Sequence, residues 1–130
     1  MKLLLDTHTW LWQLADPRKL SGKARVALRD PEHGLWLSPM SVWEAVMLAR
    51  RGRIDVGADP LAWARRALAE SPLVMAPVTH DIALRAEDLR DYDGRDPVDR
   101  FLAATAIEMG LTLVTADRSL RRYRGLPTLW

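Results

Sequence analysis

The chain has 130 residues, of which 48% are hydrophobic and 28% are charged, and its formal net charge is +2. This balance is typical of a globular protein, and we expect a single domain over residues 1–130. The absence of cysteine excludes disulfide bonds and thiolate metal sites, and it fits a reducing, cytoplasmic location. We expect no membrane segment, because no apolar stretch is long enough and the first twelve residues lack a signal-peptide core.

Short apolar segments alternate with segments whose apolar residues recur at helical spacing. Strands are predicted at residues 2–6, 35–38, 73–78, 111–117 and 126–129. Helices are predicted at residues 7–16, 21–30, within 38–52, and at 59–71, 79–89 and 98–110, with a polar loop at 90–97. This alternation predicts an α/β fold with a mostly parallel sheet that is covered on both faces.

Glu44 lies in the most apolar of the predicted helices. Its neighbours in the sequence are Val42, Trp43, Ala45, Val46, Met47 and Leu48. A helix that is apolar nearly all round is expected to be buried over most of its circumference. An ionised carboxylate is costly in such a place unless a cation or strong donors accompany it. Glu44 is therefore either exposed on a narrow polar stripe or held there for a function.

Three further acids are expected at one edge of the sheet. Asp6 and Asp117 each follow a predicted strand, and α/β sheets bind ligands beyond the carboxyl ends of their parallel strands. Asp99 lies in the first turn of its helix, on the apolar face. Each also has a simpler explanation, since Asp6 and Asp117 could cap the helices that follow and Asp99 could complement a helix dipole. Asp96, which precedes Pro97, is interpreted as a structural N-cap.

Four carboxylates near one edge of a sheet predict a metal site. Clustered carboxylates raise one another's pKa, and a divalent cation relieves that repulsion. Oxygen-only ligands favour Mg²⁺ or Mn²⁺ over zinc, and such ions can activate water for an in-line displacement at phosphorus. The histidines are scattered and are expected to be structural or exposed: His8, His33 and His80.

Two arginine-rich segments, 49–53 and 118–124, give the chain local basic character. Basic surface around an acidic pocket would suit a polyanion, although arginine-rich helix faces are often simply solvated. Four tryptophans lie in apolar segments and are expected in the core: Trp10, Trp12, Trp36 and Trp43. Any exposed tryptophan could serve a partner interface or base stacking.

Four segments, LLLDTHTWLW, LSPMSVWEAVML, DPVDRFLAATA and LTLVTAD, together resemble the PIN domain. The resemblance is specifically to the VapC-type toxin ribonucleases of prokaryotic toxin–antitoxin modules, and it runs from Lys2 to Asp117. It implies a three-layer α/β/α fold and endoribonuclease activity that depends on Mg²⁺ or Mn²⁺. It also implies a homodimer and a tight complex with a small antitoxin protein that blocks the site.

The resemblance also implies which residues form the site. The four acids of the family match, in order, Asp6, Glu44, Asp99 and Asp117, and the fourth position varies more in the family. These acids are expected to bind the metal and carry out catalysis. Thr115 matches a position where the family often has Ser or Thr, and Thr115 and Arg100 are predicted to contact the substrate. Three arginines are candidates either to steer RNA or simply to be solvated: Arg50, Arg51 and Arg53.

Two other classes of function compete with this interpretation. The first is a catalytically silent PIN-like module that binds RNA or protein, which would have no need of a repulsive acid cluster. The second is a phosphatase of the haloacid dehalogenase type, since LLLDTHT begins similarly. That class usually has a second Asp two positions after the first, where this chain has His8.

Overall fold

The computed structural model describes residues 1–57 and 59–130. Within these residues the chain forms five β-strands and seven α-helices. The strands are β1 (Lys2–Leu5), β2 (Gly34–Leu37), β3 (Leu73–Met75), β4 (Thr112–Val114) and β5 (Thr128–Leu129). The helices are α1 (Thr7–Ala15), α2 (Gly22–Arg29), α3 (Pro39–Arg50), α4 (Pro60–Glu70), α5 (His80–Glu87), α6 (Pro97–Met109) and α7 (Arg118–Arg122).

The described strands form one sheet in the order β3-β2-β1-β4-β5, and every neighbouring pair is parallel. The strand order changes direction at β1, because β2 and β3 lie on one side of it and β4 and β5 on the other. At such a switch point the loops that follow two neighbouring strands diverge, and they leave a crevice where ligands bind. The crevice of this sheet therefore lies beyond the ends of β1 and β4.

Helices cover both faces of the sheet and give a three-layer architecture. Leu3 and Leu5 pack into a core cluster with side chains from α1 to α4, whereas Leu4 packs with α6 and α7 on the other face. The alternation follows from the pleat of β1, since successive side chains point to opposite faces. α5 packs on α6 through Ile82 and Ala86. The predicted α/β/α fold with a parallel sheet is confirmed.

Polar side chains begin most of the helices. Ser21 and Asp59 accept hydrogen bonds from backbone N–H groups in the first turns of α2 and α4, which helix ends otherwise leave unpaired. Gly110 ends α6 with a φ of 65°, a left-handed conformation that costs glycine little. Among the described helices, none has both the length and the hydropathy that a bilayer span requires.

β3 is shorter than the strand predicted at 73–78. The Ala76 N–H still donates a 2.9 Å hydrogen bond to the Leu37 carbonyl. Pro77 then ends the pairing, because it has no N–H with which to continue the ladder.

α3 is less buried than its apolar composition predicts. Its buried side chains are Ser41 and Ala45. Trp43 is 57% exposed, so the prediction that it lies in the core is wrong. The physical reason is an open groove between α3 and α4, which the apolar side chains of α3 border from one side. Of the other tryptophans predicted in the core, Trp10 is fully buried, while Trp12 and Trp36 are half-buried.

Arg100 fastens the loop between α5 and α6. Its Nε donates a 2.8 Å hydrogen bond to the Ala86 carbonyl, and its Nη1 donates a 2.8 Å hydrogen bond to the Gly94 carbonyl. The guanidinium also lies 5.6 Å from the centroid of the Tyr92 ring, within the range of a cation–π contact. The structure thus gives Arg100 a structural role, and the substrate contact predicted for it stays a prediction.

Replacing Arg100 with alanine should lower the free energy of unfolding by about 2 kcal/mol, because loop carbonyls would lose a charged donor. Urea unfolding followed by circular dichroism measures this change. Arg90→Ala, at an exposed position of the same loop, is the matched control and should change stability by less than about 0.5 kcal/mol. An Arg100→Ala protein as stable as the wild type would contradict the fastening role.

Candidate active site

A cavity of about 400 Å³ opens beyond the ends of β1 and β4, at the switch point of the sheet. Its lining residues are Asp6, His8, Thr9, Trp12, Glu44, Asp96, Asp99, Ala116 and Asp117. All four acids singled out in the sequence therefore border one cavity. They reach it from four different elements: the end of β1, the middle of α3, the first turn of α6 and the segment after β4.

Asp6 is the most buried of these acids, with 8% of its surface exposed. Its Oδ1 accepts a 2.7 Å hydrogen bond from the Thr7 N–H, which caps α1. Its Oδ2 accepts a 2.6 Å hydrogen bond from the hydroxyl of Thr115, which is itself fully buried. Thr115 follows β4, so this contact joins the ends of the two central strands. Thr115 thus positions Asp6, although its predicted contact with the substrate stays a prediction.

Asp117 is held by the start of α7. Its Oδ1 accepts hydrogen bonds from the Leu120 N–H at 3.0 Å and from the Ser119 hydroxyl at 2.6 Å. Its own N–H donates a 3.0 Å hydrogen bond to the Thr115 hydroxyl, which continues to Asp6. Asp117 is therefore a helix cap, as its simpler explanation predicted, and it also borders the cavity.

Glu44 and Asp99 are half-buried and make fewer contacts than Asp6. Glu44 lies in the middle of α3, with the buried Thr7 near its carboxylate. Asp99 lies in the first turn of α6, where the positive end of the helix dipole favours a negative charge. Asp96 caps the same helix, since its Oδ1 accepts hydrogen bonds from the N–H groups of Val98 and Asp99.

The electrostatics of the cavity show that these carboxylates are crowded. Burial, followed by repulsion from Asp6, Asp96 and the other acids of the cavity, raises the pKa of Asp99 to about 8. Burial also raises the pKa of Asp6 and Glu44 above their ordinary values, although hydrogen bonds from Thr115 and Thr7 oppose this for Asp6. At neutral pH the cavity therefore carries less negative charge than its carboxylates would carry in water.

Asp117 shifts in the opposite direction. Burial acts to raise its pKa, but the hydrogen bond from Ser119 and those from the first backbone N–H groups of α7 together hold the pKa below its ordinary value. Asp117 therefore keeps its charge at a pH where Asp99 takes up a proton.

Crowding does not amount to a preformed coordination sphere. In the part of the chain that the structure describes, no three His, Asp or Glu side chains are arranged to hold one ion jointly. Helix caps and the Thr115 contact occupy oxygens of Asp6, Asp96 and Asp117. The donor set itself, oxygen atoms of carboxylates with a hydroxyl nearby, fits Mg²⁺ or Mn²⁺. Because Mg²⁺ keeps several water ligands, a few protein oxygens suffice to bind it.

Three residues of the site were missed or underestimated in the sequence. Asp96 was interpreted only as a cap, but it also lines the cavity and acts on the pKa of Glu44 and Asp99. His8 is exposed, as predicted, yet it lies on the cavity wall two residues after Asp6. The position of His8, two residues after Asp6, was the signal in the sequence that could have placed it at the cavity. Ser119 carried no signal, since its contact depends on how α7 begins.

Comparison with known proteins agrees with this geometry. The PIN domain family model matches residues 3–126. Ribonuclease VapC22 of Mycobacterium tuberculosis is 37% identical over 122 residues, which cover 94% of this chain and 92% of that protein.

Solved structures share the fold at lower sequence identity. VapBC2 from Rickettsia felis, bound to a promoter DNA fragment, has a TM-score of 0.73 at 15% identity and covers 99% of this chain and 98% of its own. VapC20 of M. tuberculosis, a toxin that cleaves the sarcin-ricin loop, has a TM-score of 0.63 at 20% identity. The match covers 96% of this chain and 98% of VapC20. From its sequence and its fold, this chain belongs to the PIN domain family, among the VapC ribonucleases.

Proposed function

We propose that this protein is the toxin ribonuclease of a toxin–antitoxin pair and that it hydrolyses RNA phosphodiester bonds with Mg²⁺ or Mn²⁺. The observation that carries the proposal is the convergence of four carboxylates from four elements on one cavity. The relationship to a named ribonuclease over nearly the whole chain supports the same reaction. A toxin of this kind would act in the cytoplasm, which stays a prediction.

The need for a cation follows from the charges of the cavity. A scaffold that only had to be stable would not gather carboxylates that raise the pKa of Asp99 to about 8. Asp6, Glu44 and Asp99 are the acids we expect to hold the ion, with Asp117 beside them. Nucleases of the PIN family generally depend on a metal. When bound, such an ion lowers the pKa of a water molecule and stabilises charge on the phosphate.

The side chains of the cavity would orient the substrate and accept a proton from the attacking water. Asp6 is fixed by two hydrogen bonds, so it can hold one orientation while a substrate binds. Glu44 and Asp99 are only half-buried, and water at the cavity can reach them. Either carboxylate could accept the proton of the attacking water. Arg50, Arg51 and Arg53 are exposed at and beyond the end of α3, where they could steer RNA towards the cavity.

An apolar groove between α3, α4 and β3 supports a protein partner. Its lining residues are Leu37, Pro39, Val42, Trp43, Val46, Leu61, Leu68, Leu73, Val74 and Met75. A continuous apolar surface that is open to solvent commonly marks an interaction site. The Rickettsia felis relative is a VapBC complex, and we propose that an antitoxin protein binds this chain too. The predicted homodimer stays a prediction.

A catalytically silent binding module remains the second candidate. The observation that favours it is the lack of three acidic or histidine side chains arranged around one point within the described residues. The crowding of the carboxylates argues against it, because a module that only binds has no use for this repulsion. Catalysis by purified protein separates the two.

Asp6→Asn should reduce cleavage of total RNA in Mg²⁺ or Mn²⁺ by at least about 100-fold, because the cavity loses its most firmly held carboxylate. The loss of full-length RNA on a denaturing gel measures cleavage, with EDTA as the metal-free condition. Asp55→Asn, at an exposed position outside the cavity, is the matched control. Equal cleavage by Asp6→Asn and wild-type protein would refute the assignment.

Asp99→Asn should stabilise the metal-free protein at pH 7.5. The pKa of Asp99 rises from 3.8 to about 8 on folding, so the folded state binds a proton that the unfolded state has lost. The stability of the wild type in EDTA should therefore fall as the pH rises from about 4 to about 8. Asn cannot ionise, so the variant avoids the cost of a charged Asp99 in the folded protein. After allowance for solvent screening and the lost interaction with the helix dipole, the free energy of unfolding should rise by about 1–2 kcal/mol.

Thermal unfolding in EDTA, and again in Mn²⁺, measures this effect. Asp81→Asn is the matched control, since Asp81 is an exposed acid in the first turn of α5. We expect that control to be neutral or slightly destabilising. Mn²⁺ should stabilise the wild type and narrow its difference from Asp99→Asn. An Asp99→Asn protein less stable than wild type in EDTA would count against the crowding.

A further inference from the structure

Three aromatic side chains lie one against the next, and the first two of them line the acidic cavity. The ring centroids of His8 and Trp12 are 5.7 Å apart, and those of Trp12 and Trp130 are 5.8 Å apart. Both distances fall in the range of interacting aromatic pairs. The interplanar angles are 51° and 55°, so the rings pack in a tilted arrangement and do not cover one another face to face. We refer to these three residues as the aromatic strip.

The aromatic strip begins inside the cavity. His8 and Trp12 line it together with Asp6 and Glu44. They lie four residues apart on α1 and therefore share one face of that helix. Because α1 starts directly after Asp6, the fold fixes the first ring of the strip close to the acids.

The aromatic strip is not absorbed into the core. His8 is exposed, and Trp12 and Trp130 are half-buried, although both tryptophans touch the core cluster on the α1–α4 face. Trp10, on the same helix, is fully buried. The whole Trp10 side chain is therefore packed in the core. Only part of the Trp12 indole packs against the core, and the rest borders the cavity. Packing alone does not explain an indole at the wall of an acidic site.

We propose that the aromatic strip binds an unpaired nucleobase of the substrate, next to the phosphodiester at the cavity. The inference rests on the proposed ribonuclease function and deepens it, because it assigns a base-binding subsite to three named residues of this chain. The acids of the cavity repel the RNA backbone, so a neighbouring group whose attraction to RNA does not depend on charge would add to binding there. An aromatic ring provides this by stacking on a base, whatever the sequence. A base in a duplex is covered on both faces, so only an unpaired base can use the strip.

A protein partner is the competing occupant. Partners also favour tryptophan, but the described residues offer them an apolar groove between α3 and α4, which none of the three strip residues lines. The strip is small, ends in an imidazole and lies next to carboxylates. These features suit a flat heteroaromatic base better than an aliphatic segment.

The test is the affinity of the protein for fluorescein-labelled hexaadenylate and for a blunt hairpin of equal length. We would measure fluorescence anisotropy in Ca²⁺, an ion of the same oxygen-ligand class, and check the oligonucleotide for cleavage by gel. Trp12→Leu keeps the apolar bulk that the core requires and removes the aromatic face. It should weaken hexaadenylate binding about tenfold, whereas Trp12→Phe should stay within about threefold of wild type.

Trp43→Leu is the matched control, because Trp43 is an exposed tryptophan that lines the apolar groove and not the cavity. It should bind hexaadenylate as the wild type does, and hairpin binding should not respond to Trp12→Leu. Trp130→Ala provides a second variant of the strip, should Trp12→Leu fail to fold, and it should also weaken hexaadenylate binding.

Three results would overturn the inference: no hexaadenylate binding by wild-type protein, equal binding by folded Trp12 and Trp130 variants, or equal loss in Trp43→Leu. If hexaadenylate binding depends on Trp12 but the protein never cleaves RNA, the base-binding role of the strip would be supported and the proposed catalysis would be refuted. Unchanged RNA binding with weakened inhibition by an antitoxin would assign the strip to the protein partner.

Discussion

The hydrogen bond from the Thr115 hydroxyl to Asp6 is the contact on which the rest of the site depends. It spans 2.6 Å between two buried side chains and joins the ends of β1 and β4. These strands are neighbours only because the order of the sheet changes direction at β1. The contact thus fixes the first carboxylate at the one position where a parallel sheet opens a crevice. The other acids are then brought to it by helices that start at the same edge.

Crowded carboxylates set stability against function in this protein. The helix caps made by Asp6, Asp96 and Asp117 contribute to folding, because they satisfy N–H groups at the starts of α1, α6 and α7. Asp99 caps no helix, and burial together with repulsion from the neighbouring acids raises its pKa to about 8. The same arrangement that makes the metal-free cavity costly makes it attractive to a divalent cation. A cost that a bound ion would relieve is typical of a functional site.

The sequence predicted those features that depend on local signals. The strands around β1 and β4, the helix caps and the four acids could all be placed because each depends on a few neighbouring residues. The family was recognisable for the same reason, since its motifs are short. The sequence did not predict the exposure of Trp43, the fastening of the α5–α6 loop by Arg100, or the presence of His8 and Trp12 on the cavity wall. Each of these depends on how separate elements pack. The periodicity of apolar residues within one helix does not show which elements pack against that helix.

The central claim is that these acids bind a divalent cation in place of a proton, and Mn²⁺ titration by calorimetry tests it directly. At pH 7 Asp99 is mostly protonated, so Mn²⁺ binding should release close to one proton per protein. Repeating the titration in buffers of different ionisation enthalpy measures that proton. The account predicts Mn²⁺ binding with release of about one proton, and loss of the proton signal in Asp99→Asn. Mn²⁺ binding without proton release, or no binding by folded protein, would contradict it.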